Sequence, residues 1–282
     1  MAKHISACLF MRREPFGAVA LLLIIVMTAS VLIFPLVLSL DPYAGHLDRK
    51  FELPSREHWM GTDQMGRDVF SRIIYGGRIS LTIGLLATLL AFSIGVTLGL
   101  LSGVLGGTFD VVVVQLIDIS FAVPSLLLAI VAAAVLRGGI FTVVFALTLS
   151  GWGSFARISR GAAKQLITQD YVLASRSLGG GLTHILLRHV LPNALSLLIV
   201  TSTLKMGSFI LGEAALSFLG VGINPPDPSW GGMVNDGSRF LYQGGMHPWL
   251  SIIPGILIAL LVMSFNLLGD SLRDYYDVKK CI

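Results

Sequence analysis

Long apolar runs recur along this 282-residue chain, and they leave it few ways to fold. About 20 predominantly apolar residues suffice to cross hydrocarbon as a helix. Such runs occupy residues 16–40, 79–105, 111–136, 140–156, 194–220 and 249–269, the fourth being short enough to need length from the residues after it. Charged residues make up only 13% of the chain, against roughly 25% in a soluble globular protein. The expected fold class is all-α: a polytopic membrane protein with six transmembrane helices. The first run follows Lys3, Arg12 and Arg13. It exceeds the roughly 7–15 apolar residues of a cleaved signal peptide, so it reads as a retained span.

One polar stretch, 157–192, breaks the apolar pattern and carries five of the twenty basic residues: Arg157, Arg160, Lys164, Arg176 and Arg188. Within it Tyr171, Ala174 and Leu178 fall at i, i+3, i+7, which predicts a short helix with one apolar face, opened by Asp170. Gly179, Gly180 and Gly181 should stop that helix, because glycine is a poor helix residue and takes positive φ readily. A second amphipathic run follows from Leu182 to Leu191 and is expected to end at Pro192. Such a helix–turn–helix belongs beside the membrane, where a partner can grip it. On pattern alone the favoured reading is plainer, an ordinary basic cytoplasmic loop kept inside by its charge.

The connection 41–78 holds six basic and six acidic residues. Its centre contains Gly61, Thr62, Asp63, Gly66, Arg67 and Asp68, and the spacing of Val69, Ile73 and Ile74 predicts a short amphipathic helix in the interface. These small and charged groups are expected to brace the second span, with Arg67 bonded to a carboxylate or a carbonyl. The chain then divides into 1–78, a first span with an outer loop, and 79–282, a five-helix core containing the loop 157–192. The connection 222–232 is too rich in proline and glycine for a long helix.

Six spans place both termini on one side with the loop 157–192. Its five basic residues, against one each in the two later outer connections, favour that side as the cytoplasm. The six in 41–78 oppose it. Asp118, Lys205 and Glu213 are the ionisable residues inside spans, where charges are costly and commonly functional or paired. They are candidate pore or intramembrane polar residues. Lys205 and Glu213 share a helix face, and a structural pair or a bond to a neighbouring span explains them at least as well as a substrate contact does. The chain lacks a phosphate-binding loop, so it should not hydrolyse ATP itself, and it lacks zinc-protease and nucleophile-elbow motifs. No cofactor or metal is expected, and Cys8 and Cys281, at opposite ends, suggest no disulfide framework. Basic residues scattered between apolar runs argue against nucleic acid and for lipid headgroups.

Four stretches together resemble the permease subunit of a binding-protein-dependent ABC importer, and more narrowly the second permease of the dipeptide, oligopeptide and nickel group. One is Gly61-Thr62-Asp63 with Gly66-Arg67-Asp68-Val69-Phe70-Ser71-Arg72. Another is the 157–192 loop, similar to E-A-A-x3-G-x9-I-x-L-P through Ala174, Gly179, Leu191 and Pro192, with Leu173 in place of the Glu, Ser175 in place of the second Ala and, at the Ile position, His189, a residue that the peptide and nickel members often carry there. The remaining two are Leu216 to Gly222 with Trp230 to Met233, and Phe265 to Asp274 with Ser271 in place of a Gly.

The resemblance implies a transport subunit with no ATPase site of its own, in the cell inner membrane, both termini cytoplasmic. It implies a coupling helix at 170–179, gripped by a separate ATP-binding subunit through its apolar face and Arg176, with Gly179 and Pro192 shaping the loop. It also implies a second homologous permease completing a heterodimer, one or two ATP-binding subunits, and a periplasmic or lipid-anchored solute-binding protein. The cargo would be a peptide, or nickel or another metal chelate, moved by alternating access. An ATP-independent transporter or channel is the alternative; it would need more polar groups near the midplane than Lys205, Glu213 and scattered hydroxyls.

Overall fold

The computed structural model describes residues 14–136, 138–242 and 247–276, with backbone alone at 240–242. Lys3, Arg12, Arg13, Arg137, Lys279, Lys280, Cys8 and Cys281, on which part of the charge and cysteine argument rests, lie outside the described residues. Helices α1 (Pro15–Val37), α2 (Val69–Leu105), α3 (Gly107–Ala122), α4 (Ser125–Val135) and α5 (Ile140–Leu166) come first. After them come α6 (Asp170–Ser177), α7 (Leu182–Phe218), α8 (Trp230–Tyr242) and α9 (Trp249–Tyr276). Among the described residues the only β pairing is two isolated bridges, Gly45 with Arg67 and Thr62 with Asp68.

Among the described residues five helices are long and apolar enough to cross a membrane, and a sixth crossing exists if α3 and α4 are counted as one span. The expected single span 111–136 is therefore corrected to a broken one, bent by 87°. Pro124 explains the break, since it offers no N–H and disfavours helical backbone at the residue before it. Val123 is accordingly extended, at φ −101° and ψ 131°.

The short helix expected after Gly66 does not stop before the second span. It is the first part of α2, whose 37 residues make a rod of about 55 Å, well beyond a hydrocarbon core of about 30 Å. The fourth span gains the length it lacked by running on to Leu166. Pro192 also fails to end the helix that precedes it. The backbone widens into a π turn at Leu186–Val190, so the proline ring is accommodated and α7 continues to Phe218.

The core forms where α2 meets α5. Gly95, Gly99 and Gly103 line one face of α2, and a Cβ on any of them would collide with α5 at Phe155, Ser159 or Ala163. Small residues at this spacing let two helix backbones approach closely, which is how helices associate in lipid without a hydrophobic drive. Ser159 adds a hydrogen bond from its Oγ to the Gly95 carbonyl at 3.3 Å. A second apolar cluster joins α1, α2, α8 and α9 around Trp230, which is fully buried and donates from Nε1 to the Ile73 carbonyl at 2.9 Å.

Candidate functional site

The turn between α5 and α7 is built around eight residues. Helix α6 starts after Gln169, whose backbone is extended and whose side chain makes no cap; Asp170 instead places a carboxylate in the first turn, where the helix dipole favours it. At the other end the Gly179 N–H donates to the Arg176 carbonyl at 3.0 Å and the Gly180 N–H to the Ser175 carbonyl at 2.9 Å. Gly179 sits at φ +85°. This is a Schellman stop, and it needs the left-handed conformation that glycine supplies.

Val172 is the one buried residue of α6, and it belongs to the same apolar cluster as Ile185 and Val190 of α7. The opposite face looks away from the bundle. Tyr171 is 44% exposed, Leu173 46% and Leu178 89%, with Ala174 and Arg176 also exposed. Ser175 Oγ and His189 Nε2 lie 3.1 Å apart, hydrogen-bonded across the turn. The Tyr171 and His184 rings flank His189 at 5.9 and 5.4 Å. Pro192 follows the π turn, and Asn193 Nδ2 donates to the His189 carbonyl at 2.6 Å.

The basic residues of the stretch divide into two sets. Arg160 and Lys164 both donate to Asp110 of α3, at 2.5 and 2.7 Å, and Ser102 Oγ donates to the same carboxylate at 2.6 Å. Arg157 donates to Asp118 at 3.0 Å and lies over the Phe121 ring. Three of the five cations therefore tie α5 to α3. Arg176 and Arg188 are exposed, with no side-chain partner among the described residues. Asp110 escaped the sequence reading because it lies just outside the run 111–136; a carboxylate one helix turn after a Gly-Gly pair was the available signal.

The connection between α1 and α2, the expected outer loop, is arranged differently. Asp63 accepts from Arg67 Nε at 2.7 Å and from the backbone N–H groups of Met65 and Arg67, at 2.8 and 3.0 Å. Arg72 of α2 approaches the same carboxylate at 3.5 Å and donates to the Pro42 carbonyl. Asp68 caps α2 by accepting from the Ser71 N–H at 2.7 Å, and His58 Nδ1 is 3.0 Å from its other oxygen. Thr62 Oγ1 donates to the Arg49 carbonyl and accepts from the Glu52 N–H. Gly61 and Gly66 have φ near +70°. A Cβ at Gly66 would run into the His46 carbonyl and one at Gly61 into the Glu52 carbonyl. Tyr43 donates to Asp227 at 2.8 Å, joining this loop to the connection before α8. That hydrogen bond holds the phenol above its ordinary range. Arg49 holds the exposed Glu57 below the usual carboxylate range by hydrogen bonding to it.

Lys205 and Glu213 do not pair. Glu213 is fully buried and accepts from Ser80 Oγ of α2 at 2.6 Å and from Ser217 Oγ at 2.8 Å, with the Ser229 hydroxyl joining them. Ser217 Oγ also accepts from the Ile223 N–H. The node thus ties α2, α7 and the entry of α8 together at the outer-loop end. Lys205 is partly buried and has no side-chain partner among the described residues. Asp118 and Glu213 sit on different helices with different partners, so the three intramembrane candidates do not converge. Among the described residues no group of three or more metal-ligating side chains lies together.

A cavity of about 570 Å³ is an open groove between α7, α8 and α9, apolar along Leu211, Phe218, Ile258 and Val262 and lined also by Asn266 and Asp270.

Residues 95–280 match the family model described as "Binding-protein-dependent transport system inner membrane component". The oligopeptide transport system permease protein OppC of Bacillus subtilis (strain 168) is 40% identical over 97% of this chain and 89% of its own length. The glutathione transport system permease protein GsiD of Escherichia coli O6:K15:H31 is 42% identical over 80% of this chain and 74% of its own. An inward-facing structure of the MetNI methionine ABC transporter superposes with a TM-score of 0.61 at 20% identity, over 73% of this chain and 96% of that one, a likeness of fold. The chain belongs to the family of binding-protein-dependent transport system inner membrane components, the permease subunits of ATP-driven importers.

Proposed function

We propose that α6 is the coupling helix of this permease, docked in a cleft of a separate ATP-binding subunit. The single observation that carries the reading is an outward apolar face, Tyr171, Leu173, Ala174 and Leu178, on a helix that is stopped at a glycine and lies beyond the spans. Large apolar groups left in water at the end of a span are the mark of an interaction site. Leu173 makes that face apolar where the family pattern has a carboxylate, so the grip rests on packing, with Arg176 at its edge. The turn lies on the cytoplasmic side and the loops 41–68 and 219–229 on the outer side, where a solute-binding protein delivers cargo. A second homologous permease completes the pathway, and one or two ATP-binding subunits drive alternating access by drawing the coupling helices together. The cargo is a small peptide-class solute, as the names of the permeases OppC and GsiD suggest.

Ala174→Asp places a charge in the contact, and Gly179→Val penalises the left-handed turn. Neither change touches a span. The permease should reach the membrane at normal levels, while the ATP-binding subunits no longer copurify and uptake falls sharply. Normal copurification and uptake in Ala174→Asp would sink the coupling reading and favour an ATP-independent pore. Orientation is tested in a Cys-free background. A Cys at exposed Asp48 should react with an impermeant thiol reagent in intact cells, and one at exposed Thr168 should not. Ser229, though in the outer connection, is buried on Glu213 and is no reporter.

A further inference from the structure

We propose that the Ser175–His189 hydrogen bond makes α6 and the first turns of α7 a single body, and that both side chains are positioning residues for coupling. The inference rests on the coupling reading above and names the residues through which that site would act.

A helix of eight residues anchored at one apolar point can roll about that point. Val172 is that point, being the only buried residue of α6. Ser175 follows it at i+3, on the same face and one turn further along. Its hydroxyl meets His189 at 3.1 Å while its carbonyl accepts from the Gly180 N–H at 2.9 Å, so Ser175 is held on both its side chain and its backbone. His189 is held as firmly. Its carbonyl accepts from Asn193 Nδ2, its ring lies between those of Tyr171 and His184, and it sits in the π turn that precedes Pro192. Two attachment points on one face prevent the roll that a single point permits.

Displacement of α6 then passes into α7, a continuous helix of 37 residues that carries Glu213 near its far end.

The test uses the full transporter, permease with its partner permease, ATP-binding subunits and solute-binding protein, in lipid nanodiscs and proteoliposomes. Because Ser177 lies on the proposed docking face, spin labels at exposed Ser177 and Leu187, in a Cys-free background, report the α6–α7 distance distribution in the permease pair before the ATP-binding subunits are added, without any need for cargo. Uptake per ATP hydrolysed is followed by depletion of a tryptic peptide mixture. Ser175→Ala and His189→Ile should each broaden the distribution and lower uptake per ATP by about fivefold, the scale of one lost hydrogen bond. The double variant should be no worse than either single, and Ser175→Thr, which keeps the hydroxyl, should behave as the parent.

Unchanged distributions in both singles would overturn the proposal. So would losses that multiply in the double variant, or broadening with no loss of uptake per ATP. If Ser175→Ala instead released the ATP-binding subunits, the residue would belong to the docking face, and that too overturns it. The outcome is distinguishable from failure of the coupling reading, because Ala174→Asp tests docking on the opposite face of α6 with copurification as its readout.

Discussion

The loop before α2 and the turn before α7 are both polar connections of a membrane protein, and they treat their polar and apolar groups in opposite ways. In the outer loop each buried charge has found its partner inside the chain. Asp63 is surrounded by Arg67, Arg72 and two backbone N–H groups, and the side chains of the Arg67–Asp63 pair are each only 9% exposed. Within α6 only Val172 is buried, and of the apolar groups on the other face Leu173 and Leu178 stay 46% and 89% exposed while Tyr171 touches the chain through the His189 ring. One region is complete in this chain; the other, on the coupling reading proposed above, is completed by a second subunit. Buried, satisfied polar networks fix a local structure, whereas exposed apolar faces mark contacts still to be made.

If that contrast holds, substitutions should destabilise the isolated permease in the outer loop and leave it unharmed at α6. The largest effect is expected at Arg67. Removing one partner of a buried pair leaves an uncompensated charge and costs about 3–5 kcal/mol. Arg67→Ala should therefore cut the amount of assembled protein in the membrane and lower the thermal midpoint of the detergent-purified permease. Normal abundance with normal uptake would show Asp63 to be satisfied without it, and the contrast would lose its strongest support.

The Glu213 node comes next. Glu213→Ala removes the acceptor shared by Ser80, Ser217 and Ser229 in a fully buried place. The cost should be about 1–3 kcal/mol, the usual range for leaving buried donors unmatched. Glu213→Gln keeps an acceptor oxygen and should recover most of the loss. Equal stability of the two variants would mean the serines turn to helix carbonyls instead, as many serines in this chain do.

A smaller effect is expected where the outer loop is exposed. Tyr43→Phe removes the hydrogen bond to Asp227, and solvent screening limits the loss to about 1 kcal/mol or less. The pH dependence has a definite sign. Because the bond raises the phenol's folded pKa, its contribution is fully present below the ordinary tyrosine value and is lost as pH rises through the folded one. Comparing the parent with Tyr43→Phe across alkaline pH should make the difference shrink as pH rises. A difference that grew with pH would refute the Tyr43–Asp227 account.

How far these two regions could be read in the sequence follows from the range of the interactions involved. The apolar runs other than 111–136, the glycine stop at Gly179 and the outward spacing of Tyr171, Ala174 and Leu178 are local, and the structure agrees with them. The break at Pro124 was also local and visible, inside a run that hydropathy alone treats as continuous. Pro192 illustrates the reverse: a proline expected to end a helix is absorbed by a π turn. Partners far apart in the chain were not legible. Nothing in the sequence pairs Ser80 with Glu213 or Asp110 with Arg160 and Lys164. Helix α8 went unread because its entry, Ser229 to Gly232, looks like a turn until Trp230 is seen buried against α2.

The smallest effect on stability should come from the most exposed apolar side chain of the turn, and it is the sharpest test of the contrast. Leu178 is 89% exposed in the isolated chain. Its side chain is therefore almost as wet as in the unfolded protein, and burial contributes nothing that a substitution could remove. Its backbone N–H donates to the Ala174 carbonyl, a bond that Leu178→Ser keeps. The thermal midpoint of the purified permease should stay at the parent value with Leu178→Ser. In the full transporter the same change should weaken retention of the ATP-binding subunits, because docking as proposed would bury the leucine against the partner. A fall in the midpoint of the isolated permease would mean that Leu178 is already packed within this chain, and that the turn is as self-contained as the outer loop.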